Sequence, residues 1–311
     1  MQIIQEKIVL ITRPSRLAGL KRRFSTRARA QFYVEHLHAD FKDYETEDEQ
    51  YDRSVKQATE HLRAFRRVQV IDRSYLPNFL FGPKDIVVAL GQDGLVANTL
   101  KYLDGQPLLG VNPDVKRWDG ILLPFQVKDL PKIMPQVVDG KRPLKKVTMA
   151  EARLNTQQVF YAVNDFFIGA KSHTSARYEI RHGNHREQHS SSGVIVSTGL
   201  GSTGWLRSVL TGSQIIASAS HGLPPVPQKY KPVPWDSQQL FFSVREPFPS
   251  RNSQTGLVFG QVTAASPLKL TSQMAENGVI FSDGIENDFA EFNSGASVTI
   301  LPSKRHGILV V

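Results

Sequence analysis

The sequence predicts a two-domain protein: an α/β domain built on a parallel sheet, followed by a β-rich domain. Three observations carry this. The chain has 311 residues, and about 150 residues per domain suggests two domains. Residues 1–140 alternate apolar strands with helical stretches, and residues 141–311 turn to short strands separated by turns. The last residues are expected to pack back on the first domain.

The first strand is Lys7–Thr12, and an arginine-rich helical stretch follows it. Asp40–Asp52 is a polar, acidic segment. Val55, Ala58, Leu62 and Phe65 then fall on one face at helical spacing. Val68–Ile71 reads as a short strand, and Asp85–Leu90, introduced by Gly82-Pro83, as a longer one. An apolar run of that length suits a buried parallel strand. Gly91-Gln92-Asp93-Gly94 breaks it, Leu95–Leu103 reads as a helix, and Pro107–Asn112 as the next strand. Strand, tight turn, helix and strand make a βαβ unit.

In the second half, strands are expected at Val159–Ala162, Phe166–Ile168, Tyr178–Ile180 and Val194–Ser197. A helix starts at Ser202 or Thr203, and Gly222–Pro234, with its five prolines, is a loop. Strands follow at Leu240–Val244, Leu257–Val262, Leu268–Thr271, Val279–Phe281 and Val298–Leu301. Regular short strands with turns between them mark a β-rich domain.

Apolar residues make up 40% and charged residues 22% of the chain, which is ordinary globular usage. There is no cysteine, so disulfides and thiolate metal sites are excluded. No run approaches the roughly 20 apolar residues that span a bilayer. The N-terminus lacks the pattern of a secretory signal, and a cytoplasmic location is expected. The formal net charge is +9. Arg13, Arg16, Lys21, Arg22, Arg23, Arg27 and Arg29 lie in a stretch with no acid between Glu6 and Glu35. Such a run is either a solvated helix face or a field that draws phosphate. No zinc-finger spacing or RNA-binding signature accompanies it, so nucleic acid is not the expected partner.

Three motifs could carry chemistry. Gly91-Gln92-Asp93-Gly94 stands between a buried strand and a helix, where glycine lets a ligand approach the backbone and helix N–H groups favour phosphate. Asp93 at the carboxyl end of a parallel strand suits a general base for a hydroxyl. The alternative is a plain turn with Asp93 as helix N-cap. Ser197-Thr198-Gly199-Leu200-Gly201-Ser202-Thr203-Gly204-Trp205 follows a strand and opens a helix. Its glycines match G-x-G-x-x-G, but the acidic residue that a dinucleotide fingerprint needs about 20 positions on is missing. What remains is a polar turn able to hold an anionic or ribose-bearing ligand. Asn164-Asp165 could grip ribose or adenine, or form an Asx turn. His182, His185 and His189 lie on a hairpin with Gly183-Asn184 at its tip, and no metal site is expected there. No Walker lysine motif occurs.

In this order the motifs resemble the NAD kinase family. That family has a glycine-aspartate-glycine loop, an Asn-acidic pair, and a strand leading into a Gly-Ser-Thr turn. Ser191-Ser192-Gly193, Ser243-Val244-Arg245-Glu246-Pro247 and Ser282-Asp283-Gly284 with Glu291–Gly295 look like its mitochondrial-type branch. The resemblance implies an NAD kinase-like fold with the site between the two domains. It implies phosphoryl transfer from ATP to the 2′-hydroxyl of the adenosine ribose of NAD, giving NADP. Asp93 would be the base. Gly91, Gln92, Gly94, Leu95, Asn112, Asn164, Asp165, Ser192, Thr198, Gly201, Ser202, Thr203 and Trp205 would bind nucleotide. Magnesium would arrive on the ATP phosphates, with no metal ligand from the protein. The expected partners are NAD/NADP and ATP, with a homodimeric assembly, no nucleic acid and no membrane. The family loop reads Gly-Gly-Asp-Gly-Thr, whereas Gln92 and Leu95 stand here, so a slow kinase or an unusual donor is expected. The alternatives are a non-catalytic NAD(H)- or NADP(H)-binding sensor and a lipid or sugar kinase.

Overall fold

The computed structural model describes residues 6–222, 224, 230–285 and 288–311. The chain forms two compact units, Met1–Lys145 with Ile308–Val311, and Lys146–Gly307.

The first unit runs β1 (Ile8–Thr12), α1 (Arg16–Phe24), α2 (Arg27–His36), α3 (Phe41–Arg63), β2 (Val68–Asp72), β3 (Ile86–Leu90), α4 (Asp93–Leu100), β4 (Pro107–Asn112), β5 (Phe125–Gln126) and α5 (Leu130–Val138). Its sheet has the order β2-β1-β3-β4, with every one of these pairings parallel. Ile308 and Leu309, at the end of the chain, add in parallel beside Pro107 and Leu108. All of β3 is buried, as its unbroken apolar run requires. Ile8, Leu10, Val88 and Leu90 share one core with Ala58 and Leu62 of α3 and Leu130, Ile133 and Met134 of α5.

The acidic segment Asp40–Asp52 is helical and forms the first half of α3. Asp40 caps it by accepting the Lys42 N–H at 2.9 Å, and Phe41 and Tyr51 are buried. Its acids meet the basic run. Arg16 pairs with Glu47 and lies 2.6 Å from Asp43, Lys21 lies 3.1 Å from Asp48, and Arg27 pairs with Glu45. The cations that have no acid near them in sequence acquire acids in space, so the run is largely neutralised.

The second unit runs β6 (Leu144–Leu154), β7 (Val159–Ala162), β8 (Asp165–Ala170), β9 (Ala176–His182), β10 (His185–Ser191), β11 (Val194–Ser197), α6 (Trp205–Ser220), β12 (Leu240–Val244), β13 (Phe259–Val262), β14 (Leu268–Ser272), β15 (Gly278–Ser282), β16 (Phe289–Glu291) and β17 (Ser297–Val310). One layer has the order β10-β9-β14-β17, with β6 paired to β17 and β7 to β6. The other has the order β13-β12-β11-β8-β15-β16. Side chains alternate along the strands. Tyr178, Ile180, Leu268 and Leu270 from the first layer thereby share a core with Phe166, Ile168, Val196 and Phe242 from the second. The histidine hairpin is β9–β10, with Gly183 at φ +58° in its turn. His189 is buried and bonded to Glu187 at 2.9 Å. Among the described residues no three His, Cys, Asp or Glu side chains converge on a metal position, and no helix is long and apolar enough to cross a membrane. Of the expected loop Gly222–Pro234, residues 223 and 225–229 lie outside the described residues.

Candidate functional site

In the first unit, Gln92 caps α4 without a side-chain bond and Asp93 is the first helical residue. The N-cap reading of Asp93 is therefore replaced by another geometry. The two Asp93 oxygens accept the backbone N–H groups of Ile121 at 3.0 Å and Leu122 at 2.8 Å. Asn112 holds the same loop: its amide donates to Trp118 O at 2.9 Å and its carbonyl accepts the Asp114 N–H at 2.9 Å. Gly110 makes this possible, since a β-carbon there would lie 1.8 Å from Leu122 O. Each Asp93 oxygen keeps a lone pair beyond its one backbone bond, so the carboxylate is oriented and can still accept. Leu95 is only 3% exposed and belongs to the core. Gly91 packs tightly on it, with a β-carbon placed 2.9 Å from Leu95 Cδ2.

In the second unit, Asn164-Asp165 opens β8 beside Thr198–Thr203. Thr198 donates to Val163 O at 2.5 Å and accepts the Gly201 N–H at 3.1 Å. Ser202 donates to Gly199 O at 2.7 Å and accepts the Val233 N–H at 3.0 Å. Both hydroxyls are fully buried and already bonded within the turn. Gly201 is required by close approach, because a β-carbon would stand 2.0 Å from Asn164 O. Thr203 is exposed. Asn164 is half-buried, and its backbone N–H donates to the Asp283 carboxylate at 2.6 Å. Asp165 is buried, and desolvation together with the nearby Asp283 carboxylate pushes it up to about 7.

Ser192 and Trp205 line a cavity of about 380 Å³ in this unit. Phe167 stacks with Trp205, with ring centroids 5.8 Å apart, and with Phe281, at 4.9 Å. Phe167 has room because Gly169 and Gly193 lack side chains, and a β-carbon on either would come within 2.7 Å of its ring. Arg245 lies 5.3 Å over the Trp205 ring, and Lys171 lies 4.7 Å over Phe289. A flat-walled, cation-rimmed cavity suits an aromatic base next to phosphate. The sequence reading did not single out Phe167, Lys171, Phe281 or Phe289 as site residues, and it used Arg245 only within a branch motif. The legible hint was the cluster of aromatics in β8 and β15 on the strand face opposite the core residues Phe166, Ile168 and Ile280.

The fold is similar to that of two solved kinases. An NAD kinase from Archaeoglobus fulgidus, in complex with ATP, matches with a TM-score of 0.56 at 15% identity, over 98% of this chain and 93% of that one. Yeast NADH kinase, complexed with NADH, matches with a TM-score of 0.55 at 16% identity, over 100% of this chain and 85% of that one. No family model matches the sequence, and no curated protein matches it. At these identities the likeness is one of fold alone.

Proposed function

We propose that this chain is an NAD(H) kinase, transferring the terminal phosphoryl group of ATP to the 2′-hydroxyl of the adenosine ribose. The observation that carries the reading is the cavity of Phe167, Trp205 and Phe281 rimmed by Arg245 and Lys171, on a fold shared with two kinases of this substrate class. It favours a flat base with phosphate over a lipid or a sugar. Asn164, Thr203 and Ser192 supply polar contacts to the dinucleotide. Asp93, aimed by its two backbone bonds, takes the proton of the ribose hydroxyl. The freed oxygen attacks the terminal phosphorus, and the bond to the ADP oxygen breaks with its electron pair leaving on ADP. Magnesium would be carried by the donor phosphates, bridging their oxygens. Placement in the mitochondrial-type branch rests on Ser191–Gly193 and Ser243–Pro247.

The test is NADP or NADPH formation from NAD or NADH, ATP and magnesium, by wild type and by Asp93→Asn. The reading requires turnover by wild type and its loss in the variant, with dinucleotide affinity kept. A second reading, a non-catalytic dinucleotide sensor, is favoured by Gln92 and by Leu95, which is buried in the core where the family loop has a hydroxyl. It wins if the dinucleotide binds yet no donor supports turnover.

A further inference from the structure

The cavity in the second unit carries a charge pattern that bears on the redox state of its ligand. Arg245 and Lys171 line it, and among the described residues no Asp or Glu does. Arg245 is held by its backbone, which donates to Gly193 O at 2.8 Å and accepts the Ser192 N–H at 3.0 Å. The carboxylate paired with it is Glu246, 3.7 Å away on a side chain 67% exposed. Among the described residues Lys171 has no carboxylate at ion-pair distance.

Aromatic walls ordinarily attract a cationic ring through the ring quadrupole. Here that attraction is already spent: the guanidinium of Arg245 lies over Trp205 and the ammonium of Lys171 over Phe289. Phe167 in turn stacks with Trp205 and with Phe281. An oxidised nicotinamide is a pyridinium cation and would meet two like charges, Arg245 and Lys171. A dihydronicotinamide has the same flat shape and no ring charge, while the pyrophosphate beside it is attracted by both cations in either form.

We propose that this cavity receives the nicotinamide end of the dinucleotide and selects its reduced, uncharged form, so that NADH is the preferred substrate. This rests on the dinucleotide reading above. Calorimetric titration of the full chain with NADH and with NAD is the test, repeated on Arg245→Met, Lys171→Met and the charge-retaining Arg245→Lys. Wild type should bind NADH about tenfold more tightly than NAD, a difference that two partly screened cations can supply. Either Met variant should shrink the ratio by about threefold or more, Arg245→Lys should keep it, and added salt should shrink it in wild type. Unchanged melting temperatures without ligand show that the Met variants are folded. Equal affinities for the two forms, or a ratio indifferent to both Met substitutions, overturns the inference and leaves the dinucleotide reading standing. Absence of binding by either form overturns both.

Discussion

Asp283 and Asn164 are joined by a hydrogen bond of 2.6 Å from the Asn164 backbone N–H to the Asp283 carboxylate, which also accepts the Val163 N–H at 3.1 Å. Two motifs far apart in sequence thus form one structure. Asp283 can sit there because it adopts φ +56°, a left-handed conformation that Asp and Asn tolerate better than most residues. Asp283→Ala should cost about 2–3 kcal/mol, since bonds to a charged acceptor are lost. Asp283→Asn keeps an acceptor and the backbone preference and should cost less. Denaturant unfolding of both variants checks the order.

Asp165 supplies a pH prediction. Its folded-state value is about 7, against an ordinary 3.8, through burial and the Asp283 charge. The folded protein therefore holds this proton more tightly than the unfolded chain. Stability from this group is fully present below about pH 4 and is lost as pH rises through about 7. Asp165→Asn removes the titration. The variant should gain on wild type between pH 5 and 8, on the order of 1–3 kcal/mol at the upper end. Melting curves across that range test it, and a difference constant with pH would contradict it.

Leu95 changes the expectation drawn from the loop. Restoring the family threonine looks from sequence like a gain of one donor hydroxyl. In the structure Leu95 is 3% exposed and packed on Gly91. Leu95→Thr should therefore destabilise the protein by about 2–3 kcal/mol, through a cavity and a buried hydroxyl. Gln92→Gly alone is the informative change, because Gln92 makes no capping bond and is partly exposed. It should raise ATP-dependent turnover without loss of stability, as read by initial rates and melting temperature.

Gly110 sits beneath the loop that Asp93 holds. A β-carbon would meet Leu122 O at 1.8 Å, so backbone must move. Gly110→Ala should cost at least about 2 kcal/mol and draw the Leu122 N–H away from Asp93. Turnover should fall with little change in dinucleotide affinity, a pattern that kcat measured against binding constants would show.

The sequence by itself determined the local elements whose signal is local. The apolar run of β3, the Gly91–Gly94 break, the Gly183 hairpin and the alternating strands of the second unit all follow from short-range periodicity and turn chemistry. So does the presence of polar turns at Asn164 and Thr198. Other elements were hidden for physical reasons. The acidic half of α3 was legible only as a polar, acidic segment, because its helix is stabilised by ion pairs with α1, which no local window contains. The helix α5 was obscured by Pro131 and Pro135, although its apolar face is buried against the sheet.

The tertiary structure alone decided what the motif residues do. Thr198 and Ser202 have hydroxyls that could face a ligand, yet both are committed to the backbone of their own turn. Asn112 spends its amide on a loop. The cavity is made by Phe167, Phe281, Lys171 and Arg245, which come from separate strands and loops. A β-strand fixes which face a side chain takes, but only sheet pairing fixes which neighbours share that face, and pairing between distant strands is not written in any one of them.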